Sequence, residues 1–170
     1  MKKGKFLLSV IFALFFGLSN ISSADEAYIA SFNILRLGAV KKDIPQTAKL
    51  LQGFDIVGLV EVINRDGVEE LVDELNKQGN EKWDYHISPF GVGSSKYKEY
   101  FAYVYKKDKV KFIRSEGFYK DGKSSLLREP YGATFKIGNF DFTLVLVHTI
   151  YGNNEAQRKA ENFKMVDVYD

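Results

Sequence analysis

Phe54-Asp55-Ile56-Val57-Gly58-Leu59-Val60-Glu61-Val62 is the stretch that decides the fold. Its apolar residues run on with almost no alternation, and a strand of that kind is covered on both faces. Asp55 to Val62 is therefore expected as a central strand of a layered protein, with Glu61 at its end. Helical patterns flank it. Asp43 is placed to cap a helix from Ile44 to Gln52, with Pro45 tolerated in the first turn and Gly53 ending it. Asp66 is expected to cap a second helix over Val68 to Gln78, where Val68, Leu71, Val72 and Leu75 follow the i, i+3, i+4, i+7 spacing.

Further out, strands dominate. Ala27 to Ile34 reads as the first and Tyr85 to Ser88 as a short one, followed by a loop with Gly91, Gly93, Ser94 and Ser95. Tyr100 to Tyr105 is expected to turn through Lys106-Lys107-Asp108-Lys109 and pair with Val110 to Arg114. The lysines there read as a solvated hairpin tip. Phe118 to Ser125 reads as a loop. Tyr131 to Ile137 and Phe140 to His148 form a hairpin across Gly138-Asn139. A helix starts at Asn154. Two early helices and later hairpins make an α/β (α+β) chain, better read as sheet packed on sheet with outer helices than as a doubly wound sheet.

Four polar residues close or open these apolar runs: Asn33, Glu61, Glu99 and His148. Strand ends lie at the rim of a sheet, where the backbone holds side chains still. A carboxylate, a carboxamide and an imidazole gathered there suit a divalent cation and a phosphate. Each has a plainer reading. Asn33 can simply terminate a strand, and Glu61 can be a solvated cap. Glu99 can pair with Lys98 or Lys96 at the surface, and His148 can be a satisfied rim histidine.

Composition narrows the chemistry. There is no cysteine and there are two histidines, His86 and His148. Thiol catalysis, disulfide scaffolds, cysteine zinc sites and multi-histidine centres are excluded, so a metal site here must be oxygen-rich: Mg²⁺, with Mn²⁺ or Ca²⁺ as alternatives. Residues 1–24 read as a signal peptide. Lys2, Lys3 and Lys5 precede an apolar run from Phe6 to Leu18, and Ser22-Ser23-Ala24 offers small residues before a cleavage point at Asp25. The rival reading is an uncleaved anchor. Cleavage implies a secreted or periplasmic protein with no stable membrane association. It removes three of 24 basic residues and none of 22 acidic ones, leaving a net charge of −1. Gross attraction to nucleic acid is then absent, and any such binding must be local.

Five motifs occur in order: Ser31-Phe32-Asn33-Ile34, the Phe54 to Val62 stretch, Tyr97-Lys98-Glu99-Tyr100, Arg128-Glu129-Pro130 and Val147-His148-Thr149. Together they resemble the endonuclease/exonuclease/phosphatase superfamily and, within it, the DNase I-like branch. The resemblance implies a sandwich of mixed β-sheets with outer helices and a metal-dependent nuclease acting on DNA. It assigns Glu61 as the metal glutamate, Asn33 as the residue beside the metal and His148 as the histidine at the scissile phosphate. Glu99 becomes the carboxylate orienting that histidine. Arg128 becomes a contact to the DNA phosphate, and Tyr97 a residue packing into the minor groove. From the residues alone, Arg128 can equally pair with Glu129 or Asp121, and Tyr97 can be a loop-packing residue.

Some positions depart from the branch's pattern. Val60 stands where glutamine is usual, Leu35 stands where arginine is expected (Arg36 follows one place later), and Ser95 stands where asparagine is expected. The Gly-Asp-x-Asn and terminal Ser-Asp-His-type motifs are absent. Residues 25–170 are therefore expected to form a C-terminally incomplete domain, about the first half of the sandwich, with one sheet's inner face left open. The expected activity is phosphodiester hydrolysis, most directly endonucleolytic cleavage of DNA, with the chain inactive alone. The alternatives are another phosphodiesterase of the superfamily (sphingomyelinase- or phosphoinositide-type) or a non-catalytic interaction fragment.

Overall fold

The computed structural model describes residues 26–120, 122 and 126–169. The expected signal peptide and Asp121 lie outside them. The chain runs β1 (Ile29–Leu37), α1 (Ile44–Leu51), β2 (Ile56–Val62), α2 (Arg65–Gln78), β3 (Trp83–Ile87), β4 (Val92–Gly93), β5 (Lys98–Lys106), β6 (Val110–Phe118), β7 (Tyr131–Ile137), β8 (Phe140–Leu146), α3 (Glu155–Phe163) and α4 (Met165–Tyr169). The first sheet has the order β1-β2-β5-β3, with the two-residue β4 also on β5, and the second has the order β6-β7-β8. Among the described residues only β1 and β2 are parallel; the other pairs are antiparallel.

Two cores hold the layers together. One face of the first sheet carries Leu59, Ala102 and Val104 against Ala48 and Leu51 of α1 and Val68, Leu71 and Leu75 of α2. The other face carries Ile56, Phe101, Tyr103 and Tyr105 against Tyr131, Phe135, Ile137 and Leu146 of the second sheet. Tyr103 crosses this interface, where its one hydroxyl proton is shared between the carbonyls of Tyr131, at 2.7 Å, and Leu144, at 2.9 Å. A buried hydroxyl without those acceptors would cost about 1–3 kcal/mol, so the bonds fix how the sheets sit. β2 is buried along its length, as its apolar run requires.

The expected open inner face is largely closed. The second sheet packs on β2, β5 and β3, while the edge strand β1 overhangs it. Ile29, in register with the buried Ile56, is 46% exposed there.

The expected hairpin between β5 and β6 does not form. Lys109 N–H does close the turn on the Lys106 carbonyl at 3.1 Å. However, β5 already has β2 and β3 on its two edges, so β6 leaves for the second sheet. At the corner Lys107, Asp108 and Lys111 are exposed, as a solvated tip requires, but two of the lysines turn inward. Lys106 and Lys109 reach the buried Asp55 at 3.3 and 2.7 Å, and Asp55 also accepts the Tyr28 N–H at 2.9 Å. Burial pushes the Asp55 carboxyl up, but these bonds outweigh it and hold the group below the usual carboxylate range.

Helix starts follow capping chemistry. Asp43 caps α1 by accepting the Gln46 N–H at 3.0 Å. α2 begins earlier than expected, because Asn64 rather than Asp66 is its cap. Asn64 is extended, accepts the Gly67 N–H at 2.9 Å and donates to the Gly38 carbonyl at 3.0 Å. Asp66 instead sits in the first turn, where a negative charge suits the helix dipole. Asn154 caps α3 through the Gln157 N–H at 3.1 Å. The Gly138-Asn139 hairpin forms as expected, with Gly138 at φ 56°. β6 runs through Phe118, into the stretch read as a loop.

Candidate active site

The four strand-end residues meet at one rim. Asn33 and Glu61 come from the parallel strands β1 and β2, Glu99 from the start of antiparallel β5, and His148 from just beyond β8.

Irregular backbone aims the first two. The β1–β2 register breaks between Asn33 and Leu37, and Leu35 and Arg36 adopt φ 48° and 57°. The β2–β5 register breaks between Leu59 and Val62, and Glu61 lies at φ 62°. Bulges of this kind redirect a side chain out of the strand's alternation. The Leu35 N–H donates to Asn33 Oδ1 at 2.9 Å, which fixes the carboxamide orientation. Its Nδ2 then donates to Glu61 Oε1, also at 2.9 Å. Asn33 thus braces Glu61, whose side chain remains 18% exposed.

On the opposite side, Glu99 is fully buried, which overturns the surface ion pair with Lys96 or Lys98. Strand alternation turns the lysine outward and Glu99 inward. Glu99 Oε1 is bonded to His148 Nδ1, and the Arg128 Nε lies 3.3 Å from the same oxygen. Arg128 therefore pairs with Glu99. Its Nη1 also donates to the His148 carbonyl at 3.5 Å. Glu99 Oε2 and Arg128 Nε are buried without a satisfied hydrogen bond, an unusual condition for polar atoms outside functional sites. With Nδ1 engaged, His148 Nε2 turns to Glu61 Oε1 at 3.6 Å.

Tyr97 stands beside this group. Burial pushes its phenol up, and the Glu99 and Glu61 carboxylates add to the effect. The Arg36 guanidinium lies over its ring, 5.5 Å from the centroid. In the sequence Arg36 stands out only as an arginine one place later than the branch's pattern has it. Two consecutive left-handed residues bring it to the rim, and nothing in their side chains signals that conformation.

The rim can do three things chemically. It offers a carboxylate open to solvent, an imidazole held through one nitrogen by a carboxylate acceptor, and cationic and aromatic groups for an anionic ester. Among the described residues no group of three His, Asp or Glu side chains is arranged to hold a metal unaided.

A two-sheet sandwich with a carboxylate, a carboxamide and a carboxylate-held imidazole at one rim has the fold of the endonuclease/exonuclease/phosphatase superfamily. A family protein from Leptotrichia buccalis C-1013-b superposes with a TM-score of 0.58 at 13% identity, over 85% of this chain and 62% of that one. D. rerio TDP2 complexed with a single-strand DNA product gives a TM-score of 0.55 at 19% identity, over 82% and 52%.

In sequence, the chain resembles the superfamily's DNase I-like branch. It is 32% identical to a deoxyribonuclease of Thioalkalivibrio sp. (strain K90mix) over 78% of its own length and 37% of that protein's. It is 29% identical to human deoxyribonuclease-1 over 98% and 61%. No family model matches the chain. The chain spans about half the length of the curated relatives it matches.

Proposed function

We propose that this chain carries one side of the active site of an exported, Mg²⁺-dependent, DNase I-like endonuclease, and that it is inactive by itself. The observation that carries the reading is the buried Glu99 held against His148 Nδ1, with Nε2 facing the Asn33-braced Glu61. Such a pairing fixes the imidazole's orientation and leaves Nε2 to meet a phosphodiester oxygen by hydrogen bond or proton transfer. Tyr97 and Arg128 flank the place where the ester would lie, Tyr97 against the minor groove and Arg128 toward a phosphate.

Glu61 fits a hard cation that keeps several waters and takes one or two protein oxygens. It would hold Mg²⁺, with Asn33 beside it. When bound, the ion would polarise a phosphoryl oxygen toward attack by water. This chain's own residues orient the imidazole, keep the carboxylate in place and grip the anion. Residues that act as a unit lose most of their effect together, so a chain with one side of the site should turn over substrate orders of magnitude more slowly than a complete enzyme.

Plasmid nicking tests the reading. The purified chain should leave supercoiled plasmid intact with Mg²⁺ present. Robust nicking that Glu61→Ala abolishes would refute the inactivity. The longer Thioalkalivibrio relative should nick only without EDTA, and cleavage in EDTA would sink the metal's role. Leu35, Val60 and Ser95, which depart from the DNase I-like pattern, keep a lipid or small phosphodiester as the second reading. Parallel assays on DNA and lipid headgroups separate the two.

A further inference from the structure

Arg128 faces inward. Its side chain is 13% exposed, less than that of His148 at 20%. Nε lies 3.3 Å from Glu99 Oε1, and Nη1 donates to the backbone carbonyl of His148 itself. One guanidinium thus touches both the carboxylate that holds the imidazole and the backbone that carries it. The segment around Arg128 lies between β6 and β7, while Glu99 opens β5 and His148 follows β8. The arginine therefore ties both sheets at the rim.

Resting on the reading above, we infer that Arg128 is a positioning residue for His148, acting through Glu99 and through the His148 main chain. Glu99 is fully buried, and a buried carboxylate with only an imidazole partner would be poorly compensated. The planar fork supplies the opposite charge and a second, directional contact that fixes the rim segment. Glu99 Oε1 then has the Arg128 charge at ion-pair distance on one side and His148 Nδ1 on the other, while the Nη1 bond to the His148 carbonyl anchors the backbone from which the ring turns. A carboxylate facing Nδ1 favours the tautomer that carries its proton there.

The test uses the full chain without substrate, so it does not depend on turnover. With two histidines in the sequence, long-range ¹H–¹⁵N spectra of the imidazoles resolve His148 from His86. In the native chain, His148 should show a protonated Nδ1 as a single form. Arg128→Gln should move its ¹⁵N shifts toward those of exchanging tautomers, while His86 stays put. Arg128→Lys should restore part of the native pattern, because it returns charge near Glu99 without the second contact. If Arg128→Gln does not fold, Arg128→Lys alone decides: a shift from the native pattern supports the role. Native His148 shifts in every folded variant would overturn it. They would leave Arg128 as a phosphate contact only, with the phosphodiesterase reading intact.

Discussion

Glu61 holds its place against a steric penalty. A non-glycine residue at φ 62° is strained by about 1–3 kcal/mol, and the surrounding bulge and the Asn33 bond must hold it there. If that strain serves cation binding, titrating Mn²⁺ into the chain should broaden the amide signals around Asn33, Glu61 and His148. Glu61→Ala should abolish the effect without unfolding the protein; unchanged broadening would place the ion elsewhere. His86 behaves differently. It sits between the sheets, stacked on Phe112 at 4.2 Å and bonded to the Tyr131 hydroxyl at 2.7 Å. Burial, with a smaller contribution from Arg65, pushes its pKa below the ordinary value. The unfolded chain then binds this proton more readily than the folded one. Its contribution to stability is present above about pH 6.5 and is lost as pH falls through the folded pKa. Urea melts of the native chain should weaken over that range, and His86→Phe should flatten the dependence. A variant as acid-sensitive there as the parent would sink the assignment.

At the level of elements, local chemistry and packing divide the work. Asn64 caps α2 and also ties its start to Gly38. Asn64→Ala should cost about 1 kcal/mol for the cap, with the Gly38 tie adding to it, and Asp66→Ala should cost less. Equal losses in denaturant melts would contradict the assignment of the cap. Gly58 lets β2 approach β8, since a Cβ there would run into the Leu146 side chain. Gly58→Ala should push the Leu146 methyl aside and destabilise by about 1 kcal/mol through overpacking. A neutral result would mean that Leu146 repacks there without loss. α1, β2 and the β7–β8 hairpin were legible because each depends on neighbours in sequence: a cap, an apolar run, a Gly-Asn turn. The separation of β5 from β6 was not, because it depends on which strands already occupy the edges of β5.

Across the whole molecule, the described residues leave large side chains in solvent: Phe140 at 68%, Phe163 at 76%, Val166 at 60% and Tyr169 at 92%. Apolar surface marks interaction sites or association where it is contiguous, whereas side chains scattered singly are ordinary. The native chain should bind a hydrophobic dye and associate with rising concentration in light scattering, and a clean monomer without dye binding would count against this. The sequence by itself determined the parts: the buried strand, the helices with their spacing, and the order of motifs that marked Asn33, Glu61, Glu99, His148, Arg128 and Tyr97. Those signals are local, set by periodicity and residue chemistry. Only the tertiary structure decided how the parts meet. It buried Glu99, turned Arg128 inward onto Glu99 and His148, brought Arg36 over Tyr97 and closed most of the inner sheet face. Each of these rests on contacts between residues far apart in the chain, where backbone bulges and strand pairing, rather than residue type, set the direction of a side chain.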